Sequence, residues 1–173
     1  MSWELGLLVI AASVALNGFY AGAETGFTTA RRISLIHQAR RGRRGAALAA
    51  RMVRRRQQVM ISAVVGNNLA VVAGSAVATA AFLHRFGPSG ESWAALTMMA
   101  LNIVFGEVLP KAWFRARPEA SCIWAAPLLY ASGIVLWPLR WLAVGLAEGL
   151  LRLFGVRAEG GVEAPLSRER IVR

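Results

Sequence analysis

Three short polar stretches interrupt an otherwise apolar chain, and each carries oxygen donors suited to a hard cation. NGFYAGAETG runs from Asn17 to Gly26, GNN from Gly66 to Asn68, and FGEVLPK from Phe105 to Lys111, with Asn102 one turn earlier. Polar and ionisable groups in apolar surroundings are costly and normally face a bundle interior and a partner. For a single asparagine, hydrogen bonding between helices is an equally good explanation. Three patches on three separate segments shift the reading toward one shared site.

Pro110 supplies the chemical argument. A helical residue donates its N–H to the carbonyl four back. Proline has no N–H, and its ring pushes that carbonyl aside. Four before Pro110 is Gly106, so its carbonyl is predicted to be unpaired and tilted outward. Glu107 is adjacent, and a free carbonyl beside a carboxylate is an oxygen site for a hard cation. Asn102 offers a further oxygen. The competing reading is a kinked helix with a neutral, hydrogen-bonded Glu107. Cys122 is the sole cysteine, and His37 and His84 form no ligand pair. Zinc and copper are therefore disfavoured, while Mg²⁺, Ca²⁺ and Na⁺ stay open.

The elements that must position these groups follow from composition. The chain has 173 residues, 56% of them hydrophobic, with a mean hydropathy of +0.48. Apolar stretches near residues 3–30, 58–83, 93–114 and 120–155 predict an all-α integral membrane protein. Each of the first three can cover the ~20 residues a crossing helix needs. Ten arginines and no acid lie between Arg31 and Arg56. That is the pattern of a cytoplasmic loop between two spans, in contact with anionic lipid. Nucleic-acid binding has no supporting motif, and no nucleophile–base set or phosphate loop suggests an enzyme.

The predicted order is span one, Glu4 to Thr28, running inward from an outside N-terminus with Trp3 at the interface. Short amphipathic helices divided by Gly42 and Gly45 fill 31–57. Span two, Val59 to Phe82, leads to an external turn, His84 to Ser92. Span three starts near Trp93 and ends in the cytoplasm at Lys111, Arg115 and Arg117. The segment 119–155, interrupted by Pro127 and Pro138, is either an interfacial or re-entrant helix pair or a two-pass hairpin. Glu148 and Arg152 are spaced to pair on one helix face. The N-terminus lacks a basic region and does not read as a secretory signal. Gly18, Gly22 and Gly26 line one face of span one, and Gly66, Ala70 and Gly74 one face of span two. Small faces let backbones approach closely.

AGAETGFTTARRISL, GNNLAVVAGSAVATAAF and FGEVLPK, in this order, resemble the transmembrane domain of the CNNM/CorC family. The resemblance implies three transmembrane helices, cytoplasmic-side short helices, a juxtamembrane helical region and a homodimer. It implies Mg²⁺ export by alternating access, with Na⁺ entry as the coupling process. It places the ion site on Ala21, Gly22 and Glu24 of span one, Asn67 and Asn68 of span two, and Gly106 and Glu107 of span three. Glu107 would be the principal anionic ligand, Asn67 or Asn68 an amide donor, and Gly106 a carbonyl donor. Asn17, Asn102 and Ser62 would support them. Glu24 has two readings, a Na⁺ or proton partner, or a pair with Arg31 or Arg32. Ala21 stands where the family usually has serine, so one hydroxyl ligand is missing.

On this reading residues 1–157 form the transmembrane domain and 158–173 a polar cytoplasmic tail, the start of a linker. Family members usually continue into paired CBS modules, so regulation would come from such modules, here or on a separate protein. Two other functions are compatible with the residues. One is a non-transporting scaffold or regulator that binds Mg²⁺ or a partner, and the other an exchanger for a different cation.

Overall fold

The computed structural model describes residues 3–153. Among them every regular element is helical. The order is α1 (Trp3–Thr29), α2 (Arg32–Arg40), α3 (Ala46–Arg54), α4 (Arg56–Phe86), a 3₁₀ turn (Gly87–Ser89) and α5 (Gly90–Leu101). A π-helical stretch (Asn102–Val108), α6 (Leu109–Ala116), α7 (Pro118–Val135) and α8 (Trp137–Leu153) complete it. Two stretches are long and apolar enough to cross a membrane, Trp3–Thr29 and Arg56–Ala116, with a third if the broken pair α7 and α8 counts as one span. The chain divides after Leu136 into two compact units. The second is described only by α8, whose second residue, Pro138, sits where a helix start needs no N–H. Glu148, Arg152 and the tail 158–173 lie outside the described side chains.

Arg56–Ala116 is not one straight rod. Gly87 has φ +69°, a left-handed conformation that glycine adopts freely, and it reverses the chain. Beyond it, a Cβ on Gly90 would collide with the Phe82 carbonyl of α4. Eight residues further along α5, Met98 Cε lies 3.3 Å from where a Gly74 Cβ would stand. Moving forward on α5 moves backward on α4, so the two helices are antiparallel. The same reasoning sets α1 against α4, since Gly66 meets the Tyr20 ring and Gly74 meets Ser13. Trp3, at the start of α1, packs on Phe82 and Phe86 at the end of α4, with ring centroids 5.5 and 5.9 Å apart.

The glycine face of α1 goes to a different neighbour. Gly18 lies against the Phe105 carbonyl and the Pro110 ring, Gly22 against the Phe114 ring, and Gly26 against Phe114 and Cys122. Residue numbers rise together here, so α1 runs parallel to the α5–α6 pass. Small residues on two helices thus let three backbones close on one another. The outer faces carry exposed Leu8, Val72, Leu96, Ile103 and Val108, an arrangement that suits a hydrocarbon surround.

The arginine-rich segment folds rather than trailing. α3 buries Ala46, Ala49, Ala50, Met52 and Val53, and Leu35 of α2 is fully buried in the same cluster with Phe27, Cys122 and Leu129. All ten arginines between Arg31 and Arg56 point outward. The two short helices expected in this segment, divided by Gly42 and Gly45, are therefore present. The break expected at Pro127 is absent. Pro127 lies inside α7, and the interruption falls at Leu136.

Candidate cation site

Asn17 is the polar centre of the bundle, 1% exposed. Its Nδ2 donates to Asn102 Oδ1 at 2.6 Å, and Asn102 Nδ2 donates to the Met98 carbonyl at 2.9 Å. The second bond fixes the Asn102 amide, and so fixes Asn17: a flip would set two oxygens face to face. Asn17 Oδ1 is then buried and accepts no hydrogen bond, and the same holds for Asn67 Oδ1 on α4. Buried amide oxygens without donors are rare and expensive.

Gly106 makes this pair possible. A Cβ there would overlap Asn17 Nδ2 and come within 3.2 Å of Asn102 Oδ1. The backbone around it is π-helical from Asn102 to Val108, with hydrogen bonds from residue i+5 to residue i. The Leu109 N–H bonds the Val104 carbonyl, so the next rung of the ladder would run from residue 110 to Phe105. Pro110 cannot donate. The proline therefore withholds a donor from the Phe105 carbonyl in the π register, as it does from the expected Gly106 carbonyl in the α register. The Phe105 carbonyl lies against Gly18, 2.7 Å from the position of an added Cβ. The kink of a simple proline helix is replaced by a wide turn.

The remaining candidates are not all gathered at this point. Glu107 is exposed, and its Oε2 lies 3.5 Å from Lys111 Nζ, one turn on. Asn68 is exposed and Asn67 half-buried. Ala21 is buried, but its carbonyl already accepts the Thr25 hydroxyl at 3.2 Å. Gly22 is covered by Phe114, whose Cδ2 stands 2.5 Å from where a Cβ would be. Glu24 makes no ion pair with Arg31 or Arg32 among the described residues; its backbone carbonyl accepts Thr28 Oγ1 at 3.0 Å. Ser62 bonds its own helix, Gln58 O at 3.0 Å, and lies 3.9 Å from a Cβ on Gly133 of α7. It serves the α4–α7 contact rather than the amide pair.

The structure thus assembles Asn17, Asn102, Gly106, Pro110 and the Phe105 carbonyl where α1 meets the α5–π–α6 stretch. Phe105, Lys111 and Phe114 were not anticipated as contributors. The i, i+4 spacing of Glu107 and Lys111 was a readable signal for their pairing. The π register was not. Among the described residues no cluster of three His, Cys or Glu side chains exists. Any ion held here would be bound mainly by neutral oxygens, with Glu107 the nearby charge.

The pattern of the cyclin M (CNNM) transmembrane N-terminal domain matches residues 7–173. The UPF0053 inner membrane protein YfjD of Escherichia coli K12 is 30% identical over 156 residues, covering 90% of this chain and 36% of that protein. A UPF0053 protein of Synechocystis is 29% identical over 184 residues, covering 98% of this chain and 41% of its own length. One from Haemophilus influenzae is 22% identical over 152 residues, covering 88% and 36% respectively. The chain therefore spans well under half the length of these relatives. Apolar helices closing around buried amides, and a family match over almost the whole sequence, lead to one statement: the chain belongs to the CNNM (cyclin M) family of membrane proteins.

Proposed function

We propose that this domain exports Mg²⁺ through an oxygen-lined site between its helices, with Na⁺ as the coupling ion. α1, α4 and the α5–π–α6 stretch would each cross the membrane once. At 1.5 Å per residue, the 27 residues of α1 and 31 of α4 give rods of roughly 40 and 46 Å, enough for the ~30 Å hydrocarbon core with tilt. The positive-inside rule puts the ten-arginine loop in the cytoplasm and the N-terminus outside. A homodimer would be the working unit.

The observation that supports this reading is the pair of buried amide oxygens, Asn17 Oδ1 and Asn67 Oδ1, that accept nothing. A fold retains such groups at a cost of ~1–3 kcal/mol each, and a cation passing between α1, α4 and the third pass would satisfy them. Glu107 would supply the charge and the Phe105 or Gly106 carbonyl a further oxygen. The test is Mg²⁺ efflux from proteoliposomes under an inward Na⁺ gradient. Glu107→Ala should abolish it while the protein stays folded; undiminished efflux ends the proposal. The Glu107–Lys111 pair favours a second reading, a non-transporting scaffold whose carboxylate is already neutralised. Such a protein would move no Mg²⁺ under any gradient.

A further inference from the structure

The α2–α3 turn is a folded basic surface with a recess in it. Gln38, Arg41 and Arg43 line a hollow of about 440 Å³. Arg43 Nη1 donates to Gln38 Oε1 at 2.6 Å, which holds one guanidinium in place at the rim. Arg40, Arg41 and Arg44 are exposed beside it. The turn is clamped from below: Gly45 has φ +85°, and a Cβ on it would stand 2.9 Å from the Ile123 carbonyl of α7. A run of arginines between spans usually marks only topology. Here the helices that carry the run are packed onto a core, and one of its guanidinium groups, that of Arg43, is held by Gln38.

Four of the six backbone N–H groups from Arg41 to Ala46 are already spent: those of Arg41, Gly42, Arg43 and Ala46 bond carbonyls of α2 and the turn at 3.0–3.3 Å. Recognition therefore falls mainly to guanidinium groups, whose planar forks match phosphate oxygens. The surroundings indicate which phosphate. In sequence the turn falls between α1, which ends at Thr29, and α4, which begins at Arg56, and these two helices belong to the stretches long and apolar enough to cross a membrane. Ile33, on the outward stripe of α2 with His37 and Arg40, is 73% exposed. An apolar side chain followed by basic ones along one face suits a surface with hydrocarbon below and phosphate above.

We infer that the Gln38–Arg43 recess, with Arg40 and Arg44, is a docking site for the phosphate headgroup of an anionic phospholipid. It is independent of whether the domain moves ions. Removal of each arginine should weaken binding about fivefold, and removal of three on the order of a hundredfold, given the worth of a basic residue near an anionic surface.

The experiment titrates the purified full chain in neutral detergent with phosphatidylglycerol and, separately, phosphatidylcholine, counting bound lipids by native mass spectrometry. Phosphatidylglycerol should be retained, and retention should fall with salt. The triple variant Arg41→Gln, Arg43→Gln, Arg44→Gln should lose it. The triple variant Arg54→Gln, Arg55→Gln, Arg56→Gln removes the same charge outside the recess and should keep most of it. All six side chains are exposed, and helical circular dichroism checks that each variant folds. Equal loss in both triples would reduce the effect to net charge and overturn the site. Equal retention of phosphatidylcholine would do so too. Full competition by inorganic phosphate at lipid concentrations would assign the recess to a soluble anion instead.

Discussion

Replacing Gly106 by alanine sets opposing terms against each other. Alanine is the better helix former by ~1 kcal/mol, which alone would stabilise the helical stretch around residue 106. The new methyl group, however, overlaps Asn17 Nδ2. Overpacking costs ~1–3 kcal/mol. Displacing the Asn17 amide also breaks its 2.6 Å bond to Asn102, leaving a buried donor and acceptor apart at a further ~1–3 kcal/mol. The net expectation for Gly106→Ala is a loss of about 1–5 kcal/mol. Asn17→Ala removes the obstacle, so on that background the same substitution should be neutral or gain up to ~1 kcal/mol from propensity. Equilibrium unfolding in mixed micelles of the two single variants and the double variant gives the coupling energy. It should be at least ~2 kcal/mol, from the overlap and the broken bond together. Additive effects, or a Gly106→Ala protein as stable as the parent, would refute the reading of Gly106 as the seat of the amide pair.

Gly22→Val should destabilise by ~1–3 kcal/mol through its collision with the Phe114 ring, and Phe114→Ala should rescue part of that loss in the same unfolding assay. Gly45→Ala forces a left-handed φ on a Cβ residue, a cost of roughly 1–2 kcal/mol, and sets that Cβ 2.9 Å from the Ile123 carbonyl; it should destabilise by at least the first amount and speed amide exchange across 38–46. Lys111→Gln removes the ammonium that Glu107 faces at 3.5 Å. Exposed pairs of this kind are worth ~0.2–1 kcal/mol, so Mg²⁺ affinity by calorimetry should rise about 1.4- to 5-fold. Weaker binding would instead make Lys111 a positioning residue.

Much of the architecture was legible because it rests on local rules. Glycines four apart predicted close helix faces, and Gly18, Gly22 and Gly26 form such a face against Phe105, Pro110 and Phe114. Gly42 and Gly45 marked the one break between α2 and α3 in the arginine-rich segment. What sequence spacing could not say is which partner each face would choose. Both Ser13 and Gly18 lie on α1, yet Ser13 meets Gly74 of α4 and Gly18 meets Phe105 and Pro110. Asn17 and Asn102 were read as supporting residues, and they hold the centre. Their pairing is a contact across 85 positions of sequence, beyond any periodicity. Gly22, placed at the site by resemblance, is covered because Phe114 fills the space that a missing side chain leaves.

The register of the α5–π–α6 stretch explains why the acid was harder to place than the amides. In an α-helix the residue four on from Asn102 comes closest to lying above it, and that is Gly106, while Glu107 is turned well away. In the i→i+5 stretch each turn holds more than four residues. The wide turn therefore sets Gly106 on one side of the Asn102 row and brings Glu107 round to the other. With no Cβ at 106, the Asn17 amide reaches in and takes the near side of Asn102. Glu107 starts from a neighbouring backbone position, yet its carboxylate is drawn outward to Lys111. Pro110 sustains this arrangement, because the N–H it lacks would serve Gly106 in the α register and Phe105 in the π register. Restoring that donor would let the ladder close by the shorter bond, and Glu107 would turn away from the Asn102 row. The proline thus does more than liberate an oxygen: it keeps a glycine and a glutamate on the same side of the helix, flanking one asparagine.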